Sequence, residues 1–323
     1  MENIRWGIIG CGDVTEVKSG PAFQLVKGFE IVAVMRRNLE KAKDYAKRHG
    51  VAKFYNDADA LINDAEVDAV YIATPPDSHL HFALKVARAG KPCCIEKPLT
   101  PSYNDSLTIS EAFKKKNTPL FVAYYRRSMP RFESIKAWLE NDEIGVIRHL
   151  NWSLMKPPGK LDLSGADNWR TDPVVAPGGY FDDLASHGLD LFTHFFGNIS
   201  KVGGISLHQQ KLYGARDAFA AYWLHETGIS GTGSWNFGCD QNLDRVEIFG
   251  SKGTIEFSIF EDKPVMLIKN GEKQEFLFEN HKNIQYHHVE NMKRQLLGEN
   301  YKHPSSGSTA LHTSWVMSEI LKA

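Results

Sequence analysis

Three short stretches of this chain hold side chains, or the lack of them, that suit chemistry. The first is Gly10-Cys11-Gly12-Asp13-Val14-Thr15, directly after the apolar run from Ile4 to Ile9. Two glycines after a buried strand turn the chain tightly and leave no Cβ to keep a phosphate off the backbone. A helix opening at Asp13 and Val14 then aims its N–H groups and positive dipole end at that phosphate. The second stretch is Glu96-Lys97-Pro98, at the carboxyl end of Cys93-Cys94-Ile95. A lysine there projects into a cofactor crevice, and Pro98 restricts Lys97 to extended geometry. The third is Asp183 and His187, four residues apart, which a helix stacks on one face. Each has a plainer alternative: glycine pairs make ordinary turns, and a carboxylate with an imidazole makes a structural helix-surface pair. A metal centre is not assigned, because Asp183 and His187 have no third ligand at supporting spacing.

The segment after the second apolar run, Phe29 to Met35, bears on which nucleotide is held. An acid at this strand end bonds an adenosine ribose 2′-hydroxyl and repels a 2′-phosphate. The chain instead reads Met35-Arg36-Arg37-Asn38. Two guanidiniums suit charge-assisted bonds to a phosphate dianion, so NADP is expected over NAD. In the plainer reading one arginine stacks on adenine and the other is merely solvated.

These residues need a scaffold, and the apolar pattern supplies it. Strands at 4–9, 29–35, 53–55, 69–73, 92–95 and 120–123 alternate with helices at 13–26, 41–49, 58–63, 78–89 and 102–116, the first interrupted at Gly20-Pro21. That alternation predicts an α/β, doubly wound parallel sheet of Rossmann type. Thr74 and Pro75 stand at the end of the fourth strand, where ligands of open α/β sheets bind. Ser78 is expected to cap the next helix, Gly90 to end it, and His79 and His81 to lie on the surface or in a loop. From about residue 147 the pattern changes to strands with polar–apolar alternation, suited to a largely antiparallel sheet.

At 323 residues, two domains are expected, a nucleotide-binding domain over 1–123 and a second domain over 124–323. A formal net charge of −1 gives no electrostatic case for nucleic acid or an acidic membrane surface. No window approaches a membrane span. Cys11, Cys93, Cys94 and Cys239 form neither a CxxC pair nor a disulfide framework, which suits reduced thiols and a cytoplasmic location.

Gly10-Cys11-Gly12, Ala89-Gly90-Lys91, Glu96-Lys97-Pro98 and Asp183-x-x-x-His187-x-x-Asp190, in this order, resemble the glucose–fructose oxidoreductase/inositol dehydrogenase (Gfo/Idh/MocA) family. Thr15 stands where the third fingerprint glycine or alanine falls, Tyr125 where asparagine is frequent, and Pro177 where many members begin a glycine triplet. The resemblance implies a C-terminal α+β domain with an open, mainly antiparallel sheet, following the Rossmann-type domain. It implies a nicotinamide-dependent oxidoreductase acting on a secondary alcohol or carbonyl of a sugar, anhydrosugar or polyol, with Lys97, Asp183 and His187 catalytic. Cofactor contacts are expected at Gly10, Gly12, Asp13, Val14, Arg36, Arg37, Thr74, Pro75, Glu96 and Lys97. Substrate contacts are expected at Lys97, Tyr124, Arg127, Trp169, Arg170, Asp183 and His187. A homodimer or homotetramer paired through the outer face of the second sheet is also implied. Other chemistries occur among such proteins: glycoside hydrolysis by transient oxidation with bound NAD, oxidoreduction of cyclic non-sugar substrates, and cofactor sensing without turnover.

Overall fold

Ile4–Ile9 (β1) pairs in parallel with Phe29–Met35 (β2) on one side and Ala69–Ile72 (β4) on the other. Lys53–Tyr55 (β3) lies outside β2, while Cys93–Ile95 (β5) and Leu120–Val122 (β6) continue beyond β4. The order is β3-β2-β1-β4-β5-β6, and the central strands are apolar on both faces, as a parallel sheet covered by helices requires. Trp6 and Ile8 point one way, into a cluster with Phe23, Phe29 and Tyr71. Ile9, Val70 and Ile72 point the other way, against Leu61 and Val86. Each fully buried side chain of this kind contributes about 1.5–3 kcal/mol. The strand order reverses between β1 and β4, which opens a crevice at their carboxyl ends. Gly10, Thr74 and Lys97 follow β1, β4 and β5 at that edge.

The computed structural model describes residues 3–322. They fall into two units: one runs to Ser128 and takes in His281–Leu311, and the other holds Met129–Asn280 and the chain from His312. The sequence places everything after residue 123 in the second domain, whereas the segment 281–311 packs with the first unit. The helix Tyr286–Leu296 puts Val289 and Met292 into the cluster of Trp6 and Phe23. Ser305 Oγ donates to Val122 O at 2.6 Å. An apolar pair three residues apart on a polar helix seeks a hydrophobic surface, and chain order alone does not say which one.

Two local expectations are corrected. The residues around Pro75 form a short 3₁₀ turn, Pro76–Ser78, ahead of the helix His79–Ala89. Ser78 Oγ does not cap that helix; it donates to Thr74 Oγ1 at 2.7 Å and to Pro75 O at 2.8 Å. His79 is fully buried rather than on the surface, with its ring nitrogens facing the carbonyls of Thr74 and Leu99. The expected interruption falls at Lys18 and Ser19, between the helices Asp13–Val17 and Gly20–Leu25, so that Gly20-Pro21 opens the second helix instead of breaking it, and Gly90 ends its helix in the left-handed region.

The second unit is built on Ile147–Met155 (β7), Ile199–Leu207 (β8), Ala218–His225 (β9), Ser230–Asn236 (β10), Leu243–Gly250 (β11), Thr254–Phe257 (β12), Val265–Lys269 (β13) and Glu272–Phe276 (β14). Their order is β14-β13-β12-β11-β7-β10-β9-β8, antiparallel throughout except where β7 meets β10. Alternation sends Leu150, Trp152, Leu154, Val246, Ile248 and Trp235 to one buried face. There Phe192 of the helix Ser186–Phe196 sits edge-on to Trp152, with ring centroids 5.7 Å apart. The opposite face carries Asn151, Ser153, Thr232 and Ser234 together with exposed Ile205, Tyr222 and Phe249. Among the described residues no helix is long and apolar enough to cross a membrane.

Candidate active site

The turn after β1 is shaped by what its two glycines lack. Gly10 has φ of +93°, and a Cβ there would stand 2.6 Å from Thr74 Cγ2 and 2.9 Å from Thr74 N. Gly10 N–H and Cys11 N–H both donate to Met35 O, at 2.9 and 3.3 Å, so the turn is moored to the end of β2. At Gly12 an added Cβ would meet nothing nearer than Gly10 O, 3.9 Å away. The backbone there can be approached closely, which fits the pyrophosphate of a dinucleotide. Thr15 is buried and donates its hydroxyl to Gly12 O at 2.8 Å, so the departure from glycine or alanine is absorbed by a local bond. Asp13 is exposed and Val14 half-buried at the helix start. Arg36 is half-buried with its Nη1 3.3 Å from Cys11 O, and Arg37 is exposed. Met35 to Asn38 contains no acid to repel a 2′-phosphate.

The loops after β4 and β5 are tied to one another. His79 Nε2 lies 2.8 Å from Thr74 O, and Nδ1 lies 3.0 Å from Leu99 O. Burial holds the pKa of this imidazole below its ordinary value, and a neutral ring donates from one nitrogen only. His79 thus links the loop of Thr74 and Pro75 to the loop following Lys97. Sequence reading passed over it because a histidine without a partner motif carries no local signal. Glu96 is buried, with Oε1 accepting from Tyr71 Oη and Gln285 Nε2 and Oε2 facing the Lys97 N–H. Lys97 is partly exposed. Tyr124 and Arg127 are both buried in this unit, Arg127 Nη1 donating to Pro304 O at 3.1 Å.

In the second unit Asp183 and His187 do not share one regular α-helix. Phe181–Ala185 forms a π-helical turn, and the α-helix proper begins at Ser186. Such a turn carries an extra residue, so Asp183 lies in the π turn and His187 in the first turn of the α-helix that follows. Its cause lies in two inward-facing neighbours. Phe181 stacks on Phe219 with centroids 4.2 Å apart, and the buried Asp182 carboxylate accepts the Gly178 N–H at 2.8 Å. Asp183 faces sideways and accepts from Arg170 Nε at 2.9 Å, while the Arg170 guanidinium rests 4.4 Å from the Trp169 ring. Arg170 is well exposed, so the pair orients the carboxylate more than it stabilises the fold. Behind it, Asp162 accepts from Tyr180 Oη at 2.8 Å and from Asn168 Nδ2 at 3.0 Å, which fixes the loop that carries Trp169. Asp162, Asn168 and Tyr180 escaped the sequence reading, since no spacing links them. His187 is buried, its ring edge-on to Phe260 with centroids 5.9 Å apart.

The Asp182 carboxyl is pushed up to about 7, chiefly by burial and further by Asp183, against the lowering effect of the Gly178 N–H. Between the ordinary carboxylate value near 3.9 and about 7, the folded chain keeps a proton that the unfolded chain releases, so stability falls as pH rises through that window. Asp182→Asn keeps an acceptor for the Gly178 N–H and removes the titration. Thermal melts at pH 5 and pH 8 should show a smaller loss for this variant than for the wild type. Equal losses would contradict the assignment.

A doubly wound sheet with a glycine turn at its switch point, joined to a unit built on an open sheet, defines a dinucleotide-binding protein with an appended α+β domain. The chain belongs to the Gfo/Idh/MocA oxidoreductase family: residues 4–124 match the model of the oxidoreductase family, NAD-binding Rossmann fold, and residues 132–256 match that of the GFO/IDH/MocA C-terminal domain. It is 36% identical to oxidoreductase P35 of Formosa agariphila over 97% of either chain. It is 27% identical to the myo-inositol 2-dehydrogenase of Thermotoga maritima, over 78% of this chain and 74% of that one. A crystal structure of an oxidoreductase from Thermotoga maritima matches with a TM-score of 0.86 at 25% identity, covering 99% of this chain and 96% of that one. Fold class and family agree with the sequence reading, and the protein is an NAD(P)-binding oxidoreductase.

Proposed function

We propose that this enzyme moves a hydride between NADP and a secondary alcohol or carbonyl of a sugar, anhydrosugar or polyol. The observation that carries the reading is a carboxylate, Asp183, oriented by Arg170 and followed by the buried His187, in a chain that also bears Lys97 at the edge of a nucleotide-binding sheet. Similarity to a myo-inositol 2-dehydrogenase supports a polyhydroxylated substrate. The nicotinamide supplies the hydride chemistry when bound. Lys97 donates a hydrogen bond to the reacting oxygen and stabilises charge developing there. His187 takes or returns the hydroxyl proton. Asp183, held by Arg170, and Trp169 would fix the remaining substrate hydroxyls, and Tyr124 and Arg127 are further candidate substrate contacts. Gly10, Gly12, Asp13 and Val14 would hold the pyrophosphate, and Thr74 and Pro75 would be further cofactor contacts. A panel of sugars and polyols offered with NADP⁺ and with NAD⁺, read by absorbance of the reduced nicotinamide, tests this. No turnover across the panel with either cofactor would overturn it.

The preference for NADP rests on Arg36 and Arg37. Losing one charge-assisted phosphate contact costs about 1.5–3 kcal/mol, roughly ten- to a hundredfold in affinity. Arg37→Ala should therefore weaken NADPH binding by that factor and leave NADH binding within about twofold. Fluorescence titration showing equal losses, or tighter NADH binding by the wild type, would contradict the preference.

The outer face of the second sheet is proposed to pair copies of the chain into a dimer or tetramer. Register places Ile205 opposite Ala220 and Tyr222 opposite Thr232, so these exposed side chains share one face. Light scattering that gives a monomer mass at micromolar concentration would refute this.

A further inference from the structure

We infer that Gln285, on the returning segment 281–311, is a positioning residue for Lys97, acting through the Glu96 carboxylate. The inference rests on the reading of Lys97 as the donor to the reacting oxygen. Glu96 is the last residue before Lys97, and its own oxygens are taken up by three donors. Tyr71 Oη reaches Oε1 at 2.5 Å, Gln285 Nε2 reaches the same oxygen at 2.8 Å, and Lys97 N–H points at Oε2 at 3.3 Å. These bonds make Glu96 an internal strut beneath Lys97. With both oxygens anchored, the peptide plane between Glu96 and Lys97 is fixed, and so is the direction in which the lysine leaves the backbone.

Two features show that Gln285 is more than filler. It is 1% exposed, and its Oε1 is buried without a hydrogen-bond partner among the described residues. An unpaired buried acceptor is costly, and a methionine or leucine would fill the same volume without that cost. What an apolar residue cannot do is donate to a carboxylate, and donation to Glu96 also settles which end of the amide is nitrogen. The segment is placed for this role by its neighbour: Asn283 Nδ2 donates to Val17 O at 2.8 Å, at the end of the helix that follows the phosphate turn. Burial keeps the Tyr71 phenol protonated far above its ordinary range, so this second donor persists at working pH.

The test uses the full-length enzyme saturated with NADPH and two variants of matched length. Gln285→Met removes the donor. Gln285→Glu donates only while protonated, and two carboxyls at one site share a single proton readily. Hydrogen exchange resolved to the Lys97 amide, corrected for intrinsic pH dependence, should be at least tenfold faster in Gln285→Met at every pH. In Gln285→Glu it should match the wild type at pH 6 and the methionine variant at pH 9. Amides of β2 should exchange at the wild-type rate throughout, and NADPH affinity should move less than twofold. Unchanged exchange at Lys97 in Gln285→Met, acceleration spread equally over β2, or a Gln285→Glu response that does not follow pH would each overturn the inference. None of these readouts uses substrate. A failure of the catalytic reading, seen as retained turnover in Lys97→Ala, is therefore distinguishable from a failure of this one.

Discussion

Lys97→Ala is expected to lose a factor of about 10²–10⁴ in turnover while holding NADPH within about twofold of the wild type. A preorganised donor to an oxygen that gains charge in the transition state is worth roughly 10²–10³ in rate. Its help in handling the transferred proton extends the range, since such catalysis contributes about 10²–10⁴. Cofactor affinity is spared because the phosphate turn belongs to a different strand. Gly10 and Gly12 follow β1 and are moored to Met35, whereas Lys97 follows β5. The fold is spared as well, since Lys97 is partly exposed and the struts beneath it end on Glu96. Steady-state kinetics and fluorescence titration on one preparation check both halves. A folded Lys97→Ala enzyme with near-native turnover would end the catalytic assignment.

His187→Ala should be comparably severe, about 10²–10⁴ in turnover, and should also change the shape of the pH–rate profile. For alcohol oxidation the neutral imidazole must accept a proton, so the wild-type rate rises with pH as that imidazole loses its proton. For carbonyl reduction the imidazolium must donate, and the rate falls with pH through the same range. The variant should be flat there in both directions. Asp183→Asn separates two roles for the carboxylate. A mild loss with the pH limb retained means that Asp183 orients, and a large rise in substrate KM means that it holds a hydroxyl. A His187→Ala profile that keeps its limb would assign the proton to another group.

Much of this architecture was legible because its causes are local. A glycine turn after an apolar strand, strands and helices alternating at short spacing, and arginines where an acid would otherwise stand are all steric or charge statements about neighbours in sequence. The Thr74 and Lys97 loops followed from the strand pattern alone. The π turn at Phe181–Ala185 was not legible, since the Phe181 ring there stacks on Phe219 of β9, a partner that no local spacing names. Nor was the return of 281–311, because an amphipathic helix does not name the surface it will cover. His79 and Gln285 show the same limit in single residues. Each has its meaning only from partners, and Gln285 lies 189 residues from Glu96. Polar side chains whose partners lie outside their own element leave no periodic trace.

The most direct test of the central claim is the absorbance of reduced nicotinamide when the wild-type enzyme and Lys97→Ala meet the same sugars and polyols with NADP⁺. The account predicts a steady rise with at least one polyhydroxylated substrate for the wild type, and a rate at least a hundredfold lower for the variant on that substrate. Equal rates for the two proteins, or a wild type that reduces no NADP⁺ or NAD⁺ with any member of the panel, would contradict it.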